Sequence, residues 1–183
     1  GFASQTSISN LISGLFLVGE KSFVVGAVIK VGDTTGEVIS LDLLSVKLRT
    51  FDNLFVRVPN ETLIKSEITT LTRFPIRRAD VEVGVAYKED VAKVKKVLLE
   101  TADHHPLSLE EPPPLVIFSG FGDSSLNFKF CVWTKRENYL ELRNDIQERI
   151  KEAFDKAGIE IPFPQRALSV GGTGEPLPIR VVS

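Results

Sequence analysis

The stretch Val28-Ile29-Lys30-Val31-Gly32-Asp33-Thr34-Thr35-Gly36-Glu37-Val38-Ile39-Ser40-Leu41 sets the pattern for the first half of the chain. Two short apolar, β-branched runs flank a segment of Gly, Asp and Thr, which reads as a turn spanning Gly32 to Gly36. The pattern continues downstream with Ser45-Val46-Lys47-Leu48-Arg49-Thr50, a turn at Asp52-Asn53, and Leu54-Phe55-Val56-Arg57-Val58. Pro59-Asn60 ends that run: Pro lacks the ladder donor, and Asn caps the helical turn that follows. Residues 68–72 read as a fifth strand. Five short strands in so little chain predict a small, strongly bent sheet or a partly closed barrel.

Upstream lies a stretch without a charged residue from Gly1 to Gly19. Ile8, Leu11, Ile12, Leu15 and Phe16 fall on the i, i+3, i+4, i+7, i+8 stripe of an amphipathic helix. Its other face is Ser7, Ser9, Asn10, Ser13 and Gly14, polar or small and never ionised. Two readings are open. Such a face suits close helix packing in a membrane or the wall of a water-filled pore; it equally suits a buried helix of a globular domain. The stretch is marginal as a complete span, which needs roughly 20 apolar residues, and reads better as the end of one. The 183 residues contain no Met, so a longer parent protein is expected, and no signal-peptide basic region opens the chain.

Downstream, Arg73-Phe74-Pro75-Ile76-Arg77-Arg78 reads as a linker, and beyond it the alternation changes. Residues 79–87 predict a strand. Residues 89–103 predict a helix with Val91, Val94, Val97 and Leu98 on one side and Glu89-Asp90 at its N-terminus, where the helix dipole favours them. Residues 115–120 and 125–133 predict two strands. Residues 139–157 predict the longest helix, with Tyr139, Leu142, Ile146, Ile150, Ala153 and Phe154 inward and Gly158 as its stop. A strand near 166–170 completes a βαββαβ unit of ferredoxin-like type. The Gly171-Gly172-Thr173-Gly174 tail is a spacer, and residues 179–182 predict an isolated strand that needs partners from elsewhere, such as further copies of the chain.

With 43% hydrophobic and 25% charged residues, the chain can build one or two small cores, and its net charge of −2 argues against a nucleic-acid binder. The lone Cys131 sits in an apolar strand-like run and reads as a buried small hydrophobe. His104-His105 lacks further ligands at metal spacing and reads as a solvated loop. The glycine-rich tail lacks the Lys-Ser/Thr ending of a phosphate loop. Arg73, Arg77 and Arg78 suit salt bridges better than a phosphate. No catalytic, cofactor or metal site is read, so an enzyme has no residues to carry it.

The motifs together resemble the small-conductance mechanosensitive channel family of the bacterial type. The matching text is Gln5, Ser7-Ile8-Ser9-Asn10-Leu11 and Gly14; then Val31-Gly32-Asp33, Gly36-Glu37-Val38, Arg49-Thr50, Asp52 and Val58-Pro59-Asn60. It continues with Arg77-Arg78, Gly84-Val85-Ala86-Tyr87, Ser124-Ser125-Leu126-Asn127-Phe128, Ala157-Gly158-Ile159 and Pro162-Phe163-Pro164-Gln165. The resemblance implies an α+β chain: the second half of a pore-lining transmembrane helix (1–19), a small Sm-like β-barrel domain (20–72), a ferredoxin-like α/β domain (73–168), and a linker with a short strand of a C-terminal barrel (169–183).

It further implies a multi-pass homo-heptamer of the inner membrane with cytoplasmic C-terminal domains, opened by membrane tension and releasing ions and small solutes on hypo-osmotic shock. Membrane lipid and the permeating ions are then its partners, without nucleic acid and without a cofactor. Phe2 matches a ring of apolar side chains that narrows the family's pore, where Leu is usual; Ala3 and Thr6 line the same passage. The family's hinge glycine is here Thr6, which leaves Gly14 as the bend. Ile8, Leu11 and Leu15 are expected to pack on the β domain or a neighbouring subunit. Gly32, Asp33, Gly36, Pro59 and Asn60 form the β-domain turn motif. Two rivals stand beside this reading: an RNA-binding module using Lys47, Arg49 and Arg57 near Phe51 and Phe55, and a ligand-sensing ferredoxin-like domain on a membrane anchor.

Overall fold

The computed structural model describes residues 2–166 of the chain, with side chains from residue 5 onward. Contacts divide the chain between Pro75 and Ile76 into two compact units. The predicted tail strands, at 166–170 and 179–182, lie outside the described residues except for Arg166.

The first unit begins with helix α1 (Phe2–Glu20), followed by β1 (Val28–Val31), β2 (Thr34–Leu41), β3 (Ser45–Thr50), β4 (Phe55–Pro59), the short helix α2 (Asn60–Ile64) and β5 (Ile68–Thr70). The five strands form one antiparallel sheet in the order β4-β3-β2-β1-β5. Strands β1 to β4 pair in succession, and β5 returns to the free edge of β1. Alternation places Ile29, Val38, Val46 and Leu48 on the inner face, where α1 adds Leu17, α2 adds Leu63, and the α1–β1 connection adds Phe23 and Ala27.

The β1–β2 turn is tighter than its sequence suggests. Val31 pairs with Thr34, so only Gly32 and Asp33 form the loop, with Gly32 at a φ of 56° that suits a residue without Cβ. Gly36 is not a turn residue. It lies inside β2 opposite Ile29 and Thr50, and a Cβ there would stand 2.8 Å from the Arg49 carbonyl oxygen. Its role is close approach of two backbones.

The second unit runs β6 (Ile76–Val85), α3 (Val91–Asp103), β7 (Leu115–Phe121), β8 (Leu126–Lys135), a 3₁₀ turn (Arg136–Asn138) and α4 (Tyr139–Ala157). Its sheet has the order β6-β8-β7, both pairings antiparallel. Strands β6 and β7 therefore run parallel, joined through α3, with β8 inserted between them. This is the split βαβ arrangement expected of a ferredoxin-like unit.

Arg77 and Arg78 belong to β6, not to a linker: the strand pairs with β8 from Ile76↔Lys135 to Val85↔Leu126. The helices cover one face of the sheet, burying Phe128, Phe130 and Val132 against Val94, Leu98, Leu142, Ile146 and Phe154. Cys131 is buried, as its apolar setting suggested. Asp90 caps α3 by accepting the Lys93 N–H at 2.9 Å. Gly158 stops α4 in the left-handed region (φ 65°), and Ile159 N–H donates to the Phe154 carbonyl.

Among the described residues no helix is long and apolar enough to cross a membrane. Helix α1 is continuous through Thr6, Ser13 and Gly14.

Candidate functional site

The motif residues Gly14 and Asn60 meet where α1 packs on α2 and the β2–β3 turn. The side of α1 that faces inward is the small polar one: Asn10, Ser13, Gly14 and Leu17 are buried. Ile8, Leu11 and Leu15, expected against the β domain or a neighbouring subunit, are 58%, 39% and 65% exposed in the single chain, and Ile12 and Phe16 are exposed with them. Thr6 is also exposed. Phe2 and Ala3 lie in the first turn of α1, and their side chains are outside the described residues.

Asn60 explains why the polar face turns inward. It is 1% exposed, and its carboxamide Nδ2 donates to the carbonyls of Asp42 (3.0 Å) and Leu43 (2.9 Å), with the Asn10 carbonyl at 3.4 Å. One amide thus ties the β2–β3 turn to the middle of α1. Its backbone N–H donates to the Leu44 carbonyl at 3.1 Å, and its Oδ1 is buried without a partner.

Asn60 does not cap α2. Pro59 holds the N-cap position with no side-chain bond, and the free Glu61 N–H is taken by Asn10 Oδ1 at 3.0 Å. Helix α2 is capped from another helix. Asn10 completes its own requirements by donating Nδ2 to the Thr6 carbonyl at 2.9 Å. The seam therefore carries reciprocal asparagine contacts, and each satisfies backbone groups that burial would otherwise leave unpaired.

Gly14 makes the approach possible. A Cβ at this position would stand 2.6 Å from Asn60 Nδ2 and 2.9 Å from the Leu43 carbonyl oxygen, both far inside normal contact. Beside it Gly14, Leu15, Val18, Leu41, Asp42, Leu43 and Leu44 line an apolar hollow of about 650 Å³.

The other candidate chemistry resolves into structure. Lys47 pairs with Asp42 at 2.8 Å and Arg49 with Glu37 at 2.7 Å, so two of the three basic residues of the RNA-binding reading are engaged with neighbouring acids. Lys47 in turn holds the Asp42 carboxyl below its ordinary range. Arg78 forks onto Asp80 (2.7 and 3.0 Å) and lowers its pKa, while Arg77 lies 3.7 Å over the Tyr139 ring. Arg73 donates to the Lys21 carbonyl at 3.3 Å. His105 is not solvated: it is buried beside Asp145 of α4. The pairing of Asn10 with α2 and the burial of His105 were not anticipated. An Asn five positions after Gln5 on an otherwise uncharged helix, facing a Pro-Asn step, was the available signal for the first.

Two family models match the chain in succession. One, described as the mechanosensitive ion channel beta-domain, covers residues 6–73; the other, described as mechanosensitive ion channel MscS, C-terminal, covers residues 79–161. An MscS family protein of Archaeoglobus fulgidus is 36% identical over 92% of this chain and 59% of its own length. A small-conductance mechanosensitive channel of Edwardsiella ictaluri is 37% identical over 90% of this chain and 58% of its own. The crystal structure of Helicobacter pylori MscS in its closed state superposes with a TM-score of 0.87 at 29% identity, covering 94% of this chain and 68% of that one. The chain thus spans little more than half the length of these curated relatives. Two consecutive family matches, relatives of one family along nine-tenths of the chain, and the same fold together mean that this chain belongs to the MscS family of mechanosensitive ion channels.

Proposed function

We propose that the chain is the C-terminal part of one subunit of a homo-heptameric, tension-gated channel of the inner membrane. Its two described units, residues 2–75 and 76–166, are then largely cytoplasmic. The observation that carries this reading is the inverted seating of α1. Helix α1, uncharged up to Gly19, buries its small polar face on its own unit and leaves Ile8, Leu11, Ile12, Leu15 and Phe16 39–65% exposed. Covering one such side chain is worth about 1.5–3 kcal/mol, so a row of five calls for neighbouring subunits or bilayer around it. The membrane spans that complete the channel belong to the part of the relatives' length that this chain does not cover.

In this reading seven copies of the start of α1 surround the pore, with Phe2 forming its narrowest apolar ring and Ala3 and Thr6 lining it. A narrow apolar neck excludes water and with it ions. Tension favours the state of larger in-plane area, and it shifts the equilibrium only by the difference between the two states. The Asn10–Asn60 seam and the close fit at Gly14 stabilise the seated, non-conducting arrangement. Opening widens the Phe2 ring and releases ions and small solutes on hypo-osmotic shock. The likeness to the closed H. pylori channel supports assigning the seated helix to the closed state.

Patch recording of the full-length protein tests the assignment. Phe2→Ser is expected to lower the opening threshold or raise resting leak. Threshold and leak both unchanged would remove Phe2 as the gate.

A further inference from the structure

The channel reading makes no use of His105, a buried ionisable side chain of the second unit. It follows the end of α3, at the start of the 104–114 connection to β7, and is 3% exposed. We propose that His105 is an acid-released fastener: its neutral ring ties the start of the 104–114 connection to the end of α3, and uptake of a proton unties it.

The geometry carries the argument. His105 Nδ1 accepts the Leu107 N–H at 3.1 Å. It can do so only while it holds a lone pair, so the ring in this state is neutral with its proton on Nε2. Protonation turns Nδ1 into a donor facing a donor, and the bond must break. On the other side, Nε2 lies 2.9 Å from Asp145 Oδ2, and that same oxygen accepts Arg149 Nε at 2.7 Å. Asp145 therefore shares one oxygen between the His105 ring and Arg149.

The charges acting on the ring come from α4: Asp145 and Glu141 favour its protonation, and Arg149 opposes it. The end of α3 supplies the Ala102 carbonyl, which accepts the His105 N–H, and the exposed His104, whose ring sits on the Glu100 carbonyl. Strand β8 supplies the uncharged Thr134. Burial, the largest influence, and Arg149 hold the His105 pKa below its ordinary value. The sign follows: the unfolded chain binds the proton more readily, so the stability from neutral His105 is full above about pH 6.5 and is lost as pH falls towards the depressed folded value.

The response is local. Thr134 Oγ1 donates to the Leu107 carbonyl at 2.7 Å and Leu109 N–H to the Trp133 carbonyl at 2.8 Å. Neither bond involves a titrating group, so acid loosens residues 105–108 without detaching the connection from β8.

Amide hydrogen exchange on the full 183-residue chain, corrected for the intrinsic pH dependence, tests this at pH 7.5 and 5.0. Protection of the Leu107 amide is expected to fall about tenfold at pH 5.0, the worth of one hydrogen bond. In His105→Asn, Oδ1 takes the place of Nδ1 and accepts the same i+2 N–H without titrating, so protection becomes independent of pH. His104→Gln retains the wild-type response. Wild-type protection that does not change, or an equal fall in His105→Asn, overturns the proposal. Should His105→Asn not fold, ¹⁵N shifts of the wild-type ring serve instead. Nδ1 protonating together with loss of Leu107 protection supports it; Nδ1 protonating while Leu107 stays protected overturns it, as does Nδ1 remaining unprotonated at pH 5.0.

Discussion

Replacing Gly14 by Ala puts a methyl group 2.6 Å from Asn60 Nδ2 and 2.9 Å from the Leu43 carbonyl oxygen. Neither neighbour retreats freely: the amide is bonded to the Asp42 and Leu43 carbonyls, and Leu43 lies in the β2–β3 turn. Overpacking of this kind costs about 1–3 kcal/mol, and displacing the amide forfeits a hydrogen bond worth about 1 kcal/mol. Alanine returns up to about 1 kcal/mol in helix propensity. The net, about 1–3 kcal/mol against the seated helix, corresponds to a roughly 5- to 150-fold shift in its equilibrium. Gly19 is the internal control, because nothing lies within 4 Å of its would-be Cβ and Gly19→Ala should only strengthen the helix. Hydrogen exchange at the Glu61 amide, which Asn10 caps, reads the seating directly. Faster exchange in Gly14→Ala alone is expected, and in the full-length channel altered closing or inactivation accompanies it. Equal behaviour of the two alanine variants would refute the close-packing argument.

Three further outcomes follow from the same geometry. Asn10→Ala strips the cap from α2 and should cost about 0.5–2 kcal/mol in denaturant unfolding of the first unit; an unchanged midpoint would show that water caps Glu61 equally well. Gly36→Ala drives a methyl to 2.8 Å from the Arg49 carbonyl oxygen, and should destabilise the sheet by about 1–3 kcal/mol, seen as a lower melting temperature; no change would mean that β2 and β3 separate without cost. Arg78 holds the Asp80 pKa down, so this pair adds stability above the ordinary Asp value of about 3.9 that is lost as pH falls through the folded value. Asp80→Asn should flatten the acid limb of the second unit's stability curve, and an unaltered limb would assign acid sensitivity to other carboxylates.

Where the periodicity was long, the elements were readable. Helix α4 runs from Tyr139 to Ala157 with Leu142, Ile146, Ile150 and Phe154 buried, as their spacing requires. Helix α1 was readable as a helix with a stripe, but periodicity says which residues share a face and not which face meets the protein. An apolar stripe ordinarily turns inward. Here Asn60, fifty positions away from Asn10, donates its Nδ2 to the Asn10 carbonyl, and the neighbouring Glu61 N–H donates to Asn10 Oδ1; these contacts draw the polar face in. Arg77 and Arg78 read as linker because charge beside Pro75 outweighed a strand signal that only the β8 partner makes plain. Gly36 read as turn because nothing local distinguishes a glycine that frees φ from one that admits a neighbouring backbone. His105 read as solvated because its burial depends on α4, forty residues on.

The central claim is that stretching the bilayer opens a pore built from copies of this chain. The direct measurement is current through liposome patches of the purified full-length protein during suction ramps, with the assembly's mass determined in the same preparation. A seven-copy particle conducting only above a threshold tension is the predicted result. A monomer, or an assembly electrically silent up to rupture of the patch, would contradict it.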